Sequence, residues 1–300
     1  MEKKTIFAET GKRLDVFLTE KFPQYSRTYF QKLINQGLVL VQGSLKKANY
    51  KLHSEEEIEV TFPPPEVPSV KPEALPLDII YEDEDIIVIN KPAGMVVHPA
   101  CGHKESTLVN ALLYHAHKLP SPSGAVFRPG IVHRLDKETS GVMVVAKNEE
   151  TMFSLAKQFE RRKVEKIYLA LVQGKVQEKK GVIEAPLGRD LKDRRKVAIT
   201  SLHARPAVTE FKLVEIFSNQ TSLLEIKPLT GRTHQIRVHL SAIGYPICGD
   251  KEYKGDKTYP RVLLHSWKLK FFHPGKKKDV EFTAPLAEDF QKILDTLRRK

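Results

Sequence analysis

The run Gly130-Ile131-Val132-His133-Arg134-Leu135-Asp136-Lys137-Glu138-Thr139-Ser140-Gly141 sets the Asp136 carboxylate between two cations, with a hydroxyl pair, a glycine and an apolar strand following. A carboxylate presented on such a turn is a candidate nucleophile. The competing reading is a solvated polar turn, and two further polar runs weigh against it. One is Thr230-Gly231-Arg232-Thr233-His234-Gln235-Ile236-Arg237-Val238-His239, the other Lys91-Pro92-Ala93-Gly94, each beside an apolar strand. A carboxylate closed into a pocket is pushed toward its neutral form, which ends its nucleophilicity unless a cation compensates.

Those runs need rigid supports. Residues 85–90, 142–146, 167–172, 208–216, 223–226 and 262–272 read as strands, and 108–115, 149–161 and 289–297 as helices. Irregular mixing without a βαβ rhythm predicts an α+β catalytic domain over 77–300 with a mixed or antiparallel sheet. Upstream, Leu14, Phe17, Leu18 and Phe22 recur at helical spacing until Pro23, and Ser26 can cap a second helix striped by Tyr29, Phe30, Leu33 and Ile34. Gly37 ends that helix. A short strand at 38–41, a Gln42-Gly43 turn and an alternating strand at 57–62 complete a small α+β module over residues 1–62. Pro63, Pro64, Pro65, Pro68, Pro72 and Pro76 remove backbone donors, so 63–76 reads as an extended linker.

The 300 residues carry a net charge of +12, spread over many Lys and Arg runs, which favours a polyanionic partner, nucleic acid above all. Only two cysteines, Cys101 and Cys248, fit a reducing compartment, and the cytoplasm is expected. No apolar run reaches the roughly 18 residues of a membrane helix, and the start of the chain lacks an apolar signal core. His98, Cys101 and His103 cluster without a second ligand pair at zinc spacing, so no metal is expected. Neither a phosphate loop nor a glycine-rich cofactor turn is present.

With its three polar runs in this order, the stretch from about 77 to 285 resembles the RluA-type family of RNA pseudouridine synthases. The resemblance implies isomerisation of uridine: the bond from N1 to C1′ breaks and C5 takes its place, with no redox or phosphoryl step and no cofactor. Asp136 matches the family's catalytic aspartate, attacking either the sugar or the base. Arg237 matches the arginine paired with that carboxylate, with Arg232 as the alternative, and Tyr168 in Glu165-Lys166-Ile167-Tyr168-Leu169-Ala170 matches the active-site tyrosine. A phenol there can stack on uracil and move a proton. A uridine in structured RNA must leave its stack, and Arg134 can fill the gap while His133 assists with a phosphate. Lys91 and His98 belong to the run whose Pro92 and Gly94 fix a turn, Lys91 counting among the substrate-binding candidates, and Gly141 and Gly231 are expected to admit close backbone approach.

The amino-terminal module is similar to the S-four-like RNA-binding domain, which implies that Arg27, Lys32, Lys46 and Lys47 face RNA phosphates. Gln42 stands where that family usually has Asn, and Ser54-Glu55 replaces a common Gly-Asp turn. Relatives with this layout imply structured RNA, large-subunit ribosomal RNA above all, as substrate of a monomer with no obligatory protein partner. Transfer RNA is the alternative substrate. A non-catalytic RNA-binding or ribosome-assembly protein is the alternative class, and an RNA methyltransferase lacks its cofactor turn.

Overall fold

Ser26 is extended, and its Oγ accepts from the Tyr29 N–H at 3.2 Å, the capping bond that starts α2 (Arg27–Asn35). Gly37, at φ +74°, turns the chain out of that helix. α1 (Leu14–Lys21) and α2 lay Phe17, Leu18, Phe30 and Leu33 onto Ile58, Val60 and Phe62. Those last three belong to a sheet in the order β1 (Glu2–Phe7), β4 (Glu57–Phe62), β2 (Val39–Val41), β3 (Ser44–Leu45). β1 escapes sequence reading because Glu2, Lys3 and Lys4 give an exposed edge strand no apolar alternation.

The computed structural model describes the chain except residues 1, 10, 24, 64–69, 100–104, 118, 121–128, 192, 194, 195, 257 and 300. Two compact units emerge, one built on Met1–Ser69 and one on Val70–Pro120 and Gly130–Lys300. Residues 64–69 of the proline-rich stretch lie outside the described residues. Its far end belongs to the larger unit: the Lys71 carbonyl accepts from the Asn110 side chain, and the Glu73 N–H donates to the Asn110 carbonyl.

The larger unit is organised by one sheet in the order β5 (Ile79–Glu82), β6 (Ile86–Lys91), β7 (Ser140–Ala146), β14 (Leu264–His273), β8 (Glu165–Gln173), β13 (Thr221–Pro228), β12 (Val208–Ile216), β9 (Lys180–Glu184), with β15 (Lys278–Thr283) paired to β14. Only β7 and β14 run parallel; the other pairings are antiparallel, as the irregular mixing of elements predicts. β6 and β7 are continuous apolar runs because both faces are covered. Ile86, Val88, Val142 and Val144 pack against Leu155 of α4 (Glu149–Glu160), while Ile87, Ile89, Met143 and Val145 pack against Leu108 and Leu112 of α3 (Leu108–Ala116). β8 is sandwiched likewise, with Ala170 and Val172 toward α5 (Gln235–Ala242) and Leu171 toward α6 (Glu288–Arg298). Each side chain so buried contributes roughly 1.5–3 kcal/mol, which makes this sheet the rigid floor of the molecule's chemistry. A separate hairpin pairs β10 (Leu187–Arg189) with β11 (Val197–Ile199).

α5 is the helix that apolar periodicity does not reveal. Gln235, Arg237 and His239 are buried alongside Ile236 and Leu240, so the helix is enclosed on polar and apolar positions alike.

Candidate active site

The turn carrying Asp136 is clamped before β7 begins. Lys91, fully buried at the end of β6, donates through Nζ to the carbonyls of Pro92 (2.8 Å), Met95 (2.9 Å) and Lys137 (3.2 Å). The Gly94 N–H reaches the same Lys137 carbonyl at 2.8 Å from a φ of +84°, the turn expected of that run. From the other side, Arg261 donates to the Glu138 carbonyl at 3.3 Å while its Nε and Nη2 grip Asp289. Lys91 thus has a structural place in its turn, with its three donors spent on carbonyls inside the protein. Burial pulls its ammonium down to about 7, against the fields of Glu138 and Asp136. Gly141, at φ +114°, lies where an added Cβ would sit 2.1 Å from the Ser266 carbonyl oxygen, so the parallel pairing of β7 with β14 demands glycine. Gly231 meets no such constraint, since an added Cβ finds only Lys166 Nζ, at 3.7 Å.

Asp136 itself is held loosely. Its side chain is 25% exposed, with Arg237 Nη1 3.8 Å from Oδ2 and His234 Nε2 3.9 Å from Oδ1. Both gaps exceed a hydrogen bond, so lone pairs remain available. The close partners of Arg237 are different: Nε and Nη2 donate to Asp250 at 2.6 and 2.8 Å, and Nη2 to Glu252 at 2.9 Å. The expected dedicated ion pair is thus one arm of a shared network. Burial opposes the guanidinium charge, but the Asp250 bonds and the fields of Asp250, Asp136 and Glu252 outweigh it and raise the pKa above the usual arginine value. Arg237 stays cationic beside Asp136.

Tyr168, half-buried on β8, lines the same cleft as Asp136. Desolvation pushes its phenol up to about 12, with a Ser266 hydrogen bond opposing and the Asp136 charge assisting. It is a protonated donor at neutral pH. A bulge at Trp267 interrupts the pairing of β14 with β8 directly beyond Tyr168, the kind of kink that re-aims side chains at a site.

The cleft holds about 470 Å³, room for a small planar ring with its sugar, and is also lined by His133, Arg134, Arg162, Lys166 and Arg232. Burial and then Arg162 lower the Lys166 pKa; burial, Arg162 and Arg205 lower that of Arg232. Gathered at one cleft, Arg134, Arg162, Lys166 and Arg232 make an electropositive rim fit for phosphate. Arg134 is exposed on that rim. His133 contributes no charge: its Nε2 accepts from the Val144 N–H at 3.1 Å, its ring stacks on Phe159 at 4.5 Å, and burial, then Lys166, push it down to about 3. The phosphate contact expected of it is replaced by a bond that fastens the turn to β7.

His234, Asp250, Glu252 and Tyr253 surround Asp136 or its arginine, yet sequence reading assigned them no role. His234 stands at the N-cap of α5 with φ +54°, a left-handed conformation costing about 1–2 kcal/mol. Gln235 sustains it: Oε1 accepts from Thr230 Oγ1 and the Arg232 N–H, and Nε2 donates to the Val208 carbonyl. The other three follow Gly249, whose φ is +78° and where an added Cβ would lie 1.8 Å from the Arg261 carbonyl. A glycine directly before Asp250-Lys251-Glu252-Tyr253 was the available signal.

In the smaller unit, Arg27 donates through Nε to Asp15 at 2.9 Å, so an arginine expected on phosphate is committed partly to an internal carboxylate. Lys46 lies over the Tyr50 ring at 5.1 Å, and Lys32 and Lys47 are exposed. Asp83, Asp85 and His273 lie together among the described residues, but Asp83 accepts from Tyr81 and two backbone N–H groups and Asp85 from Asn148 and Thr151. That cluster is a structural knot. Cys101 and His103 lie outside the described residues. No described helix is long and apolar enough to cross a membrane.

A family model described as RNA pseudouridylate synthase matches residues 85–242, and the S4 domain matches residues 12–58. RNA pseudouridine synthase YlyB of Bacillus subtilis is 45% identical over 293 residues, covering 97% of this chain and 96% of the relative. Ribosomal large subunit pseudouridine synthase D of Nitrosomonas europaea is 42% identical, covering 96% of this chain and 85% of the relative. Among solved structures, human RNA pseudouridylate synthase domain containing 1 superposes with a TM-score of 0.59 at 28% identity, over 76% of this chain and 97% of that one.

Proposed function

Because the chain belongs to the RNA pseudouridylate synthase family and is thereby an isomerase of uridine in RNA, we infer that it acts on large-subunit ribosomal RNA with Asp136 as nucleophile. The observation that carries this reading is a carboxylate with a quarter of its surface open, faced by a cation and an imidazole yet hydrogen-bonded to neither, in a cleft shared with a protonated tyrosine. Relatives named for the ribosomal large subunit support the substrate class.

The chemistry follows from charge and reach. A flipped uridine costs a few kcal/mol of lost stacking, offset by burial of the base in the cleft and by phosphate contacts along Arg134, Arg162, Lys166 and Arg232. Arg134 takes the vacated place in the RNA. Asp136, kept beside a permanent cation, attacks the sugar or the base as the N1 bond breaks. Tyr168 stacks on the freed uracil and holds it for rotation; once C5 is joined to C1′, the proton that C5 loses is balanced by the one that N1 gains. On this reading the enzyme works in the cytoplasm, as a monomer. Pseudouridine mapping in RNA from cells lacking the protein should show lost sites in large-subunit RNA that wild-type protein restores and Asp136→Asn does not. Sites lost only from transfer RNA would overturn the substrate assignment, and restoration by Asp136→Asn would overturn the nucleophile.

A further inference from the structure

We propose that His234 is a positioning residue that presents an uncharged Nε2–H toward the Asp136 carboxylate, in a tautomer set by Tyr253. The proposal rests on Asp136 being the nucleophile. Its basis is a chain of contacts that runs from Val197 through Tyr253 and His234 to Asp136. The Val197 N–H donates to Tyr253 Oη at 3.2 Å, which leaves the phenol proton unspent. We assign that proton to His234 Nδ1, 2.9 Å away. With Nδ1 accepting, a neutral ring must carry its proton on Nε2, which is the nitrogen 3.9 Å from Asp136 Oδ1.

The same tyrosine sets the other oxygen. Arg237 lies 4.8 Å above the Tyr253 ring, while His234 meets that ring edge-on at 5.5 Å and 78°. Oδ1 therefore faces a neutral donor and Oδ2 a cation, and one phenol steers both. This division matters for a nucleophile. A second cation at Oδ1 would neutralise the carboxylate further, whereas the dipole of an uncharged N–H 3.9 Å away biases its orientation and leaves its charge. The groups facing His234 are Asp136 from the turn before β7, Arg237 on α5, and Asp250, Glu252 and Tyr253 beyond it. Burial and Arg237 favour the neutral ring against the pull of the three carboxylates.

The test compares wild type, His234→Ala, His234→Gln, His234→Asn and Tyr253→Phe on the mapped RNA target, with Asp136→Asn as reference. Gln carries an N–H near the place of Nε2, Asn nearer that of Nδ1. His234→Ala and His234→Asn should lower kcat about 10–100-fold with KM nearly unchanged, and His234→Gln should recover to within about 3-fold of wild type. Tyr253→Phe removes the donor to Nδ1, so the imidazole protonates more easily and the acid limb of kcat moves to higher pH. Wild-type kcat in His234→Ala overturns the proposal. So does His234→Gln matching a folded His234→Asn, or an unmoved acid limb in Tyr253→Phe. If Asp136→Asn is inactive while His234→Ala is not, the nucleophile stands and only this inference fails. An active Asp136→Asn removes the nucleophile itself.

Discussion

The two units each hold an aspartate beside arginine, and they treat it in opposite ways. Asp15, on α1, is fully buried and receives Arg13 through Nε and Nη2 at 3.1 Å, Arg27 at 2.9 Å and the Gln31 amide at 2.7 Å. Burial raises its pKa, but the bonds from Arg13, Gln31 and Arg27 outweigh burial and hold the carboxyl at about 2. Asp136 has no donor within hydrogen-bonding distance on either oxygen from Arg237 or His234, and it keeps a quarter of its surface open. A saturated carboxylate ties α1 to α2; an unsaturated one has lone pairs left for chemistry. What separates them is where the arginine spends its donors: Arg27 gives its Nε to Asp15, while Arg237 gives its close bonds to Asp250 and Glu252 and only its field to Asp136.

The contrast breaks most sharply under amide substitution. Asp136→Asn should reduce isomerisation by about 10³-fold or more, because the nucleophile is gone, while leaving the melting temperature within a degree or two. Asp15→Asn should do the reverse, with turnover on a short stem-loop unchanged and the smaller unit destabilised by about 2 kcal/mol, a modest figure because both arginines remain half-exposed. Thermal unfolding and single-turnover rates on both variants decide it. A large rate loss in Asp15→Asn would erase the distinction.

Next in size is Arg237→Lys, which keeps a charge near Asp136 but cannot reproduce the fork that grips Asp250. A rate loss of about 10²-fold with RNA affinity retained would show that orientation, beyond charge, is required of this residue. Arg237→Met leaves Asp136, Asp250 and Glu252 without their cation and should cost roughly 3–5 kcal/mol of stability as well. Equal activity in Arg237→Lys and wild type would mean that the field alone suffices.

The same contrast explains what could be read in advance. Asp136 and Arg237 stand in dense polar runs beside apolar strands, whereas Tyr168 lies inside a strand and only the family resemblance singled it out; β6, β7 and β8 were legible because covered faces make continuous apolar runs. The Ser26 cap and Gly37 stop were equally plain. The division of labour around Arg237 was not. It depends on a turn at 250–253 brought to α5 by tertiary folding, and α5 hides its helical period because Gln235, Arg237 and His239 are buried for hydrogen bonding. Residue type leaves Lys91 and His133 open between substrate contact and structure, and their atoms are consumed in fixing the turn that presents Asp136.

Acid titration sharpens the comparison at lower cost to the protein. The Asp15 carboxyl titrates below its unfolded value of 3.8, at about 2, so its contribution to stability is complete above roughly pH 4 and disappears as pH falls through about 2. Urea unfolding of wild type and Asp15→Asn should therefore differ at pH 6 and converge toward pH 2. A constant difference across that range would mean that Asp15 is not held as a carboxylate.

The smallest expected effect separates Arg27 from its exposed neighbours. If Arg27 is chiefly the partner of Asp15, Arg27→Ala lowers stability by about 1 kcal/mol and changes the salt dependence of RNA binding little. Lys47, exposed and on the face expected to meet phosphate, should behave oppositely, its alanine variant reducing the slope of log affinity against log salt by about 0.7–0.9 without moving the melting temperature. Filter-binding titrations between low and moderate salt read both. A full phosphate's worth of slope lost in Arg27→Ala would return that arginine to the RNA face, and the Asp15 bond would then be only one of its two duties.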